Sequence, residues 1–420
     1  MSTSDIAIIA GFVIAYGLVS RRVEHSLLTG PMLFVGFGLL VGSAGFDVLD
    51  FRLDSTGVEL LAEATLGLLL FTDATRIDTA RLRADVVLPA RMLLLGLPLA
   101  IALGTGLAAV LFDIPIAVAA LLAAILAPTD AALGEAVVTS QSVPVRVRQS
   151  LNVESGLNDG IALPAVTVFV ALAAEDEAFS SASSWARFAA EQIGYGVALG
   201  VVVGCIGAVL IRDASRRGWM EGIYRQLAVL ALATLTFALA TQVGGNGFIA
   251  TFVGGLAFGA IARVECNSVA EFTDDVAHLL AMLSFIVFGA LIVGPSLDQI
   301  DWRVALYAVG SLVLVRPVAI GLSLLGAGLQ VPTVAFFGWF GPRGLASILF
   351  GIVALEEAHG TDLSLVFVVM SWTVLLSIVV HGMSAGIGAE AYGRWWSGRR
   401  DDAMPESMPM PEQRRRGETP

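Results

Sequence analysis

Apolar runs of about 20 residues recur from one end of this 420-residue chain to the other, and that recurrence limits the possible folds more than any single motif does. A run of that length matches the hydrocarbon thickness of a bilayer, and inside hydrocarbon only a helix or a closed barrel satisfies its own backbone. Thirteen segments can be drawn, at about 5–20, 28–46, 59–76, 86–112, 115–139, 149–173, 187–211, 225–243, 246–262, 276–294, 303–328, 333–355 and 362–388. The composition agrees: 56% of residues are hydrophobic and 14% charged, against about 25% charged in a soluble domain. An all-α polytopic membrane protein with about 13 transmembrane helices is the fold these runs predict.

The arginines set the expected orientation. Arg21, Arg22, Arg76, Arg81, Arg83, Arg146, Arg148, Arg212, Arg216, Arg217, Arg225, Arg263 and the tail arginines fall on one side, while the other holds only Arg52, Arg187 and Arg303 beside acidic runs such as Glu175-Asp176-Glu177. Positive loops face the cytoplasm, so the N-terminus is expected outside and the C-terminus inside, which needs an odd number of spans. The apolar stretch from Ile6 to Val19 has no basic flank ahead of it and reads as a retained helix rather than a signal peptide. The net charge of -12 is divided among loops, tail and interior and forms no single patch, so nucleic acid is not an expected partner. Cys205 and Cys266 have neither disulfide nor metal spacing, no cofactor is expected, and the chain does not read as an enzyme. The tail at 391–420, rich in Pro, Met, Arg and Glu, is too short and polar for a core. It reads as a disordered cytoplasmic extension with no soluble regulatory domain, its Arg414-Arg415-Arg416 run in solvent.

Two segments carry a helix-breaking proline at membrane depth: Pro128 in the fifth, and Pro342 between Gly341 and Gly344 in the twelfth. An offset of seven spans puts them in opposite orientations. That is the pattern of inverted repeats, here about 1–175 and 225–390 within a transmembrane unit of 1–390, joined by a linking helix at about 187–211. Interrupted helices at matching places in two such halves mark a transporter's midplane site.

The residues around the first break carry the chemistry. Asp159 lies ten residues into segment six, roughly 15 Å deep and so near the centre of a bilayer core about 30 Å thick. A charge there is costly and in general serves an ion or proton path. Ser155 and Asp159, like Glu154 and Asn158, are spaced i, i+4 and share a helix face, close to Thr129 and Asp130 at the break. Carboxylate, amide and hydroxyl oxygens suit alkali cations rather than thiophilic metals. A proton and a cation can compete for Asp159, and competition coupled to alternating access amounts to exchange. Asn158 is neutral, so one titrating carboxylate implies one charge out for one charge in. Arg91, Arg316 and Arg343 also sit in apolar runs and need partners. Glu154 is best matched to Arg316, with Arg343 holding the second break and Arg91 near enough to the membrane surface to snorkel. Asp73 is a candidate for the cytoplasmic funnel. His25, His278, His359 and His381 read as loop or helix-end residues.

Pro128-Thr129-Asp130, Glu154-Ser155-Gly156-Leu157-Asn158-Asp159, Arg316-Pro317 and Gly341-Pro342-Arg343-Gly344 together resemble the monovalent cation:proton antiporter family, in its electroneutral NhaP and eukaryotic sodium/proton exchanger branch. The resemblance spans about residues 1–390. It implies a dimerisation domain plus a mobile core domain with crossed helices five and twelve, an elevator-type movement and a homodimer in the cell membrane. It places Na+ at Asp159, Ser155 and Thr129, helped by Asp130 and Glu154, with Asn158 marking the electroneutral branch. Li+ and K+ are alternative cargoes. Ala131, where Pro is frequent, and Gly156, where a larger residue is usual, depart from the family pattern without removing a ligand. A cation channel would need a continuous ring of ligands, and an intramembrane aspartate hydrolase would leave Asn158 and the paired breaks unexplained.

Overall fold

The computed structural model describes residues 3–24, 26–48, 56–77, 87–130, 133–174, 182–266, 270–358, 361–399 and 406. The elements are helices: α1 (Thr3–Glu24), α2 (Gly30–Val41), α3 (Thr56–Arg76), α4 (Val87–Leu111), α5a (Ile116–Ile125) and a single turn α5b (Glu135–Val138). They continue as α6 (Val145–Ala173), α7 (Ala182–Arg216), α8 (Gly222–Gln242), α9 (Gly247–Cys266) and α10, which starts as Ala270–Val287 and runs on to Ser296. The last are α11 (Trp302–Ser323), α12a (Val331–Trp339), α12b (Leu345–Glu357) and α13 (Ser364–Ser397). Among the described residues, eight of these helices are long and apolar enough to cross a membrane, and α2, α5a, α9 and α12b supply shorter apolar lengths. Each expected segment contains one helix, or, for the fifth and twelfth, two pieces. α3 is less apolar than its neighbours because Glu59, Glu63, Asp73 and Arg76 all fall within it.

Proline explains much of this local structure. Pro31 and Pro332 occupy the first turns of α2 and α12a, and Pro115 and Pro144 precede α5a and α6; there the missing N–H would have had no partner anyway. Pro98 and Pro317 instead lie inside α4 and α11, and Pro295 near the end of α10, each two residues beyond a stretch of π-helix, Met92–Gly96, Ser311–Val315 and Phe288–Val293. A proline ring clashes with the carbonyl four residues back. Widening that turn from i+4 to i+5 bonding moves the carbonyl aside and lets the helix continue. At Pro128 and Pro342 the helix stops.

The core lies where α3, α5a, α6, α9, α10 and α12b meet. α5a is buried on every side from Val118 to Ile125, as an all-apolar helix should be. Small residues let other helices approach closely: a Cβ at Gly200 of α7 would lie 2.6 Å from the Ala250 carbonyl oxygen of α9. Close backbone packing of this kind replaces the hydrophobic drive that lipid removes. α1 sits at the edge, stacking Phe12 on Phe37 of α2 at 3.8 Å and leaving Ile14 and Leu18 exposed on its outer face.

Two expectations are corrected. The tail expected from residue 391 is helical as far as Ser397, with Tyr392, Gly393 and Trp396 buried, because aromatic residues continue the inward face of α13. His381, expected at a helix end, is buried well inside α13, because the helix runs nine residues past the expected limit of 388. His278 is exposed on α10. His25, His359, Ala131 and Arg414 to Arg416 lie outside the described residues.

Candidate functional site

The two breaks meet. α5a ends at Ile125, and the non-helical backbone of Pro128 to Asp130 meets the non-helical link between α12a and α12b. The Asp130 N–H donates to the Pro342 carbonyl at 2.8 Å, and the Leu345 N–H donates to Asp130 Oδ2 at 2.9 Å. Asp130 therefore caps the N-terminus of α12b from the other break, a carboxylate at the positive end of the helix dipole. Gly344 is required at this crossing, because a Cβ there would collide with the Asp130 carboxylate. The Arg343 N–H donates to Ser377 Oγ of α13 at 2.6 Å, and Arg343 Nη1 folds back onto the Gly341 carbonyl at 2.6 Å. Arg343 thus holds the second break, and it is buried.

Beside this crossing runs α6, whose 29 residues place Asp159 at the centre, with 145–158 before it and 160–173 after. Three side chains of α6 converge on Thr129. Asn158 Nδ2 donates to Thr129 Oγ1, the Ser155 hydroxyl lies 3.1 Å from it, and Thr129 donates to Glu154 Oε2 at 3.4 Å. With that proton committed to Glu154, Thr129 accepts from Ser155 as well as from Asn158, which leaves the Ser155 oxygen with open lone pairs. Glu154 is held on its other side by Arg316, which donates from Nη1 to Oε1 and from Nη2 to Oε2, both at 3.0 Å. Both side chains are 5% exposed, so this is a buried bidentate pair. Arg316 also reaches the Phe337 carbonyl of α12a at 3.4 Å, and Gly341 leaves the space its guanidinium fills.

Among the described residues, Asp159 Oδ1 and Asn158 Oδ1 are buried oxygens with no hydrogen-bond partner. Such atoms are rare in folded proteins, and each one in a native structure calls for an explanation. The carboxylates of Asp73, Asp130 and Glu154 all act electrostatically on Asp159, and Asp73 is half-buried in α3. Arg91 does not simply reach for the membrane surface: its Nη2 donates to the Leu325 carbonyl just beyond α11 at 2.6 Å.

Sequence reasoning missed Ser377 and His381. His381 Nδ1 sits 3.0 Å from Ser377 Oγ and its ring 5.1 Å from that of Trp339, so α13 reaches both sides of the α12 break. The only signal available was a histidine within an apolar run.

A helical membrane bundle in which two interrupted helices meet beside buried carboxylates, with half-helix ends facing one another, has the architecture of secondary transporters with midplane ion sites. The chain belongs to the sodium/hydrogen exchanger transmembrane family, which it matches over residues 7–389. It is 27% identical over 379 residues to a K(+)/H(+) antiporter NhaP2 of Shewanella sp. (strain ANA-3), covering 90% of this chain and 64% of that protein. It is also 27% identical over 373 residues to a K(+)/H(+) antiporter NhaP of Alkalimonas amylolytica, covering 87% of this chain and 62% of the relative. The chain thus spans less than two thirds of these relatives' length. In structure it resembles the sodium proton antiporter MjNhaP1 of Methanocaldococcus jannaschii, with a TM-score of 0.77, 21% identity, and 90% of this chain and 98% of that chain covered. That likeness establishes the all-α polytopic fold.

Proposed function

We propose that this protein exchanges a monovalent cation for a proton across the cell membrane, one for one, with both competing for Asp159. The observation that carries the reading is the contrast among the carboxylates. Glu154 is neutralised by Arg316 and Asp130 is committed to the α12b N-terminus, whereas Asp159 keeps an unpartnered oxygen next to the Thr129–Ser155–Asn158 cluster. Asp159 Oδ1, Ser155 Oγ and Asn158 Oδ1 are hard oxygen ligands for an alkali ion, and Thr129 orients the last two. When the cation leaves, its charge is replaced by a proton on Asp159. The loaded site is then neutral in either form, and only loaded forms cross. Asp73 sits where it would shape the field on the approach to the site.

Na+ is the leading cargo, with Li+ and K+ as alternatives of the same mechanism. The relatives support both main choices, since two are named K(+)/H(+) antiporters and the structural neighbour a sodium proton antiporter. The reading includes a homodimer in lipid with the N-terminus outside and the C-terminus in the cytoplasm. It also includes inverted repeats at about 1–175 and 225–390, and movement of a core domain carrying both broken helices. The test is cation-driven dissipation of a pH gradient in vesicles of purified protein, with Na+, Li+ and K+ in turn. Wild type should respond to at least one ion, and Asp159→Asn, which keeps size and a ligand oxygen but cannot exchange a proton, should respond to none. A response in Asp159→Asn equal to wild type would sink the assignment.

A further inference from the structure

Beyond Arg399 the structure describes one tail residue, Glu406, and it is 1% exposed. Its Oε1 accepts from the backbone N–H of Gln330 at 2.9 Å and from the hydroxyl of Thr333 at 2.9 Å. Gln330 is the N-cap of α12a and makes no side-chain cap of its own. In a capping box, an acidic side chain at the third helical position returns to the N-cap N–H. Here that third position is Thr333, and the carboxylate comes from Glu406, 76 residues from Gln330 in sequence. The protons balance: Thr333 donates to Glu406, so the Tyr392 hydroxyl, 2.9 Å from Thr333 Oγ1, donates to Thr333. Tyr392 in turn stacks on Phe336 at 4.3 Å, tying the end of α13 to the same half-helix.

The other end of α12a is the break. Phe337 offers its carbonyl to Arg316, and the link beyond Phe340 carries the Pro342 carbonyl that Asp130 binds. About 14 Å separates the two ends of a nine-residue helix. A short half-helix has little intrinsic stability and depends on its caps and packing.

We propose that Glu406 is a positioning residue for exchange: its carboxylate docks on α12a, supplies the missing N-terminal cap, and so fixes the half-helix whose far end shapes the cation site. The second oxygen of Glu406 is buried without a partner among the described residues, so this cap is held by one oxygen only. The kinetic consequence rests on the exchange reading above, while the docking itself does not.

Two readouts on the full-length protein test this. Hydrogen exchange of backbone amides should quicken across Gln330–Phe336 in Glu406→Ala and in Thr333→Val, and stay close to wild type in Glu406→Gln, which keeps an acceptor oxygen. In vesicles, Glu406→Ala should raise the apparent cation KM about fivefold, the equivalent of one helix cap, with turnover at saturation little changed. Thr333→Val should raise the KM less in the Glu406→Ala background than it does alone, since the bond between the two side chains is then already lost and only the Tyr392 contact remains to be removed. Unchanged amide protection overturns the docked tail, and quickened exchange with an unchanged KM overturns the positioning role. Wild-type vesicles that exchange no cation for protons would contradict the antiport reading alone, because the amide arm still reports on the tail.

Discussion

Pro98 in α4 and Pro342 between α12a and α12b both sit at membrane depth in apolar surroundings, yet the first only widens one turn while the second ends a helix. The proline defect is the same in both; what differs is what the neighbouring helices offer. Around Pro342 the freed backbone groups find partners from outside their own helix: Asp130 for the Pro342 carbonyl and the Leu345 N–H, and Ser377 for the Arg343 N–H. Glycines at 341 and 344 make room for Arg316 and Asp130. Around Pro98 the bonds stay within the helix through a π-turn, the Leu97 N–H reaching the Met92 carbonyl. A break in a membrane helix is therefore a property of a crossing, since a lone open turn would leave backbone groups unpaired where water is absent. The crossing is also what brings Thr129, Asp130 and the α12b N-terminus beside Asp159.

If this is right, damage at the crossing and damage at a π-turn should differ sharply. The largest effect is expected of Arg316→Ala. Removing one partner of a buried pair leaves an uncompensated charge, so stability should fall by about 3–5 kcal/mol and exchange should vanish; an unchanged melting temperature in detergent would show that the pair contributes nothing. Next comes Asp130→Ala, which strips the cap from α12b and the acceptor from Leu345, at about 1–3 kcal/mol. Its exchange activity should be lost and its unfolding temperature lowered, whereas activity near wild type would show that the breaks persist without the bridge. Ser377→Ala leaves the buried Arg343 N–H without its acceptor and should cost about 1–2 kcal/mol, with exchange slowed rather than abolished. Smallest is Pro98→Ala, which restores an N–H inside a continuous helix. Exchange should stay within about twofold and stability within about 1 kcal/mol, and a total loss there would erase the distinction between the two kinds of proline.

The sequence revealed some of this arrangement and concealed the rest for physical reasons. The contact of Glu154 with Arg316 is legible because a buried charge in an apolar run must have a partner and few candidates exist. The site face of α6 is legible from i, i+4 spacing alone. Which prolines break and which widen cannot be read locally, since the outcome depends on donors and acceptors some 200 residues away. His381 was misplaced because hydropathy ended the last span at 388, while the helix is carried on to Ser397 by Tyr392 and Trp396 packing inward. Glu406 was hidden for the opposite reason: a polar, proline-rich tail reads as solvated, and nothing in its composition signals a single carboxylate returning to cap a distant half-helix.

The central claim is that one carboxylate, Asp159, exchanges one proton for one cation, and counting protons tests it most directly. Calorimetric titration of the purified protein with its cation, in buffers of different ionisation enthalpy, gives the number of protons released per ion bound. At a pH where Asp159 is protonated in the absence of cation, the count for wild type should be one, and Asp159→Asn should release none. A second titrating group coupled to the first, as Asn158→Asp would introduce, should push the count above one. A wild-type count near two, or one proton still released by Asp159→Asn, would contradict the account.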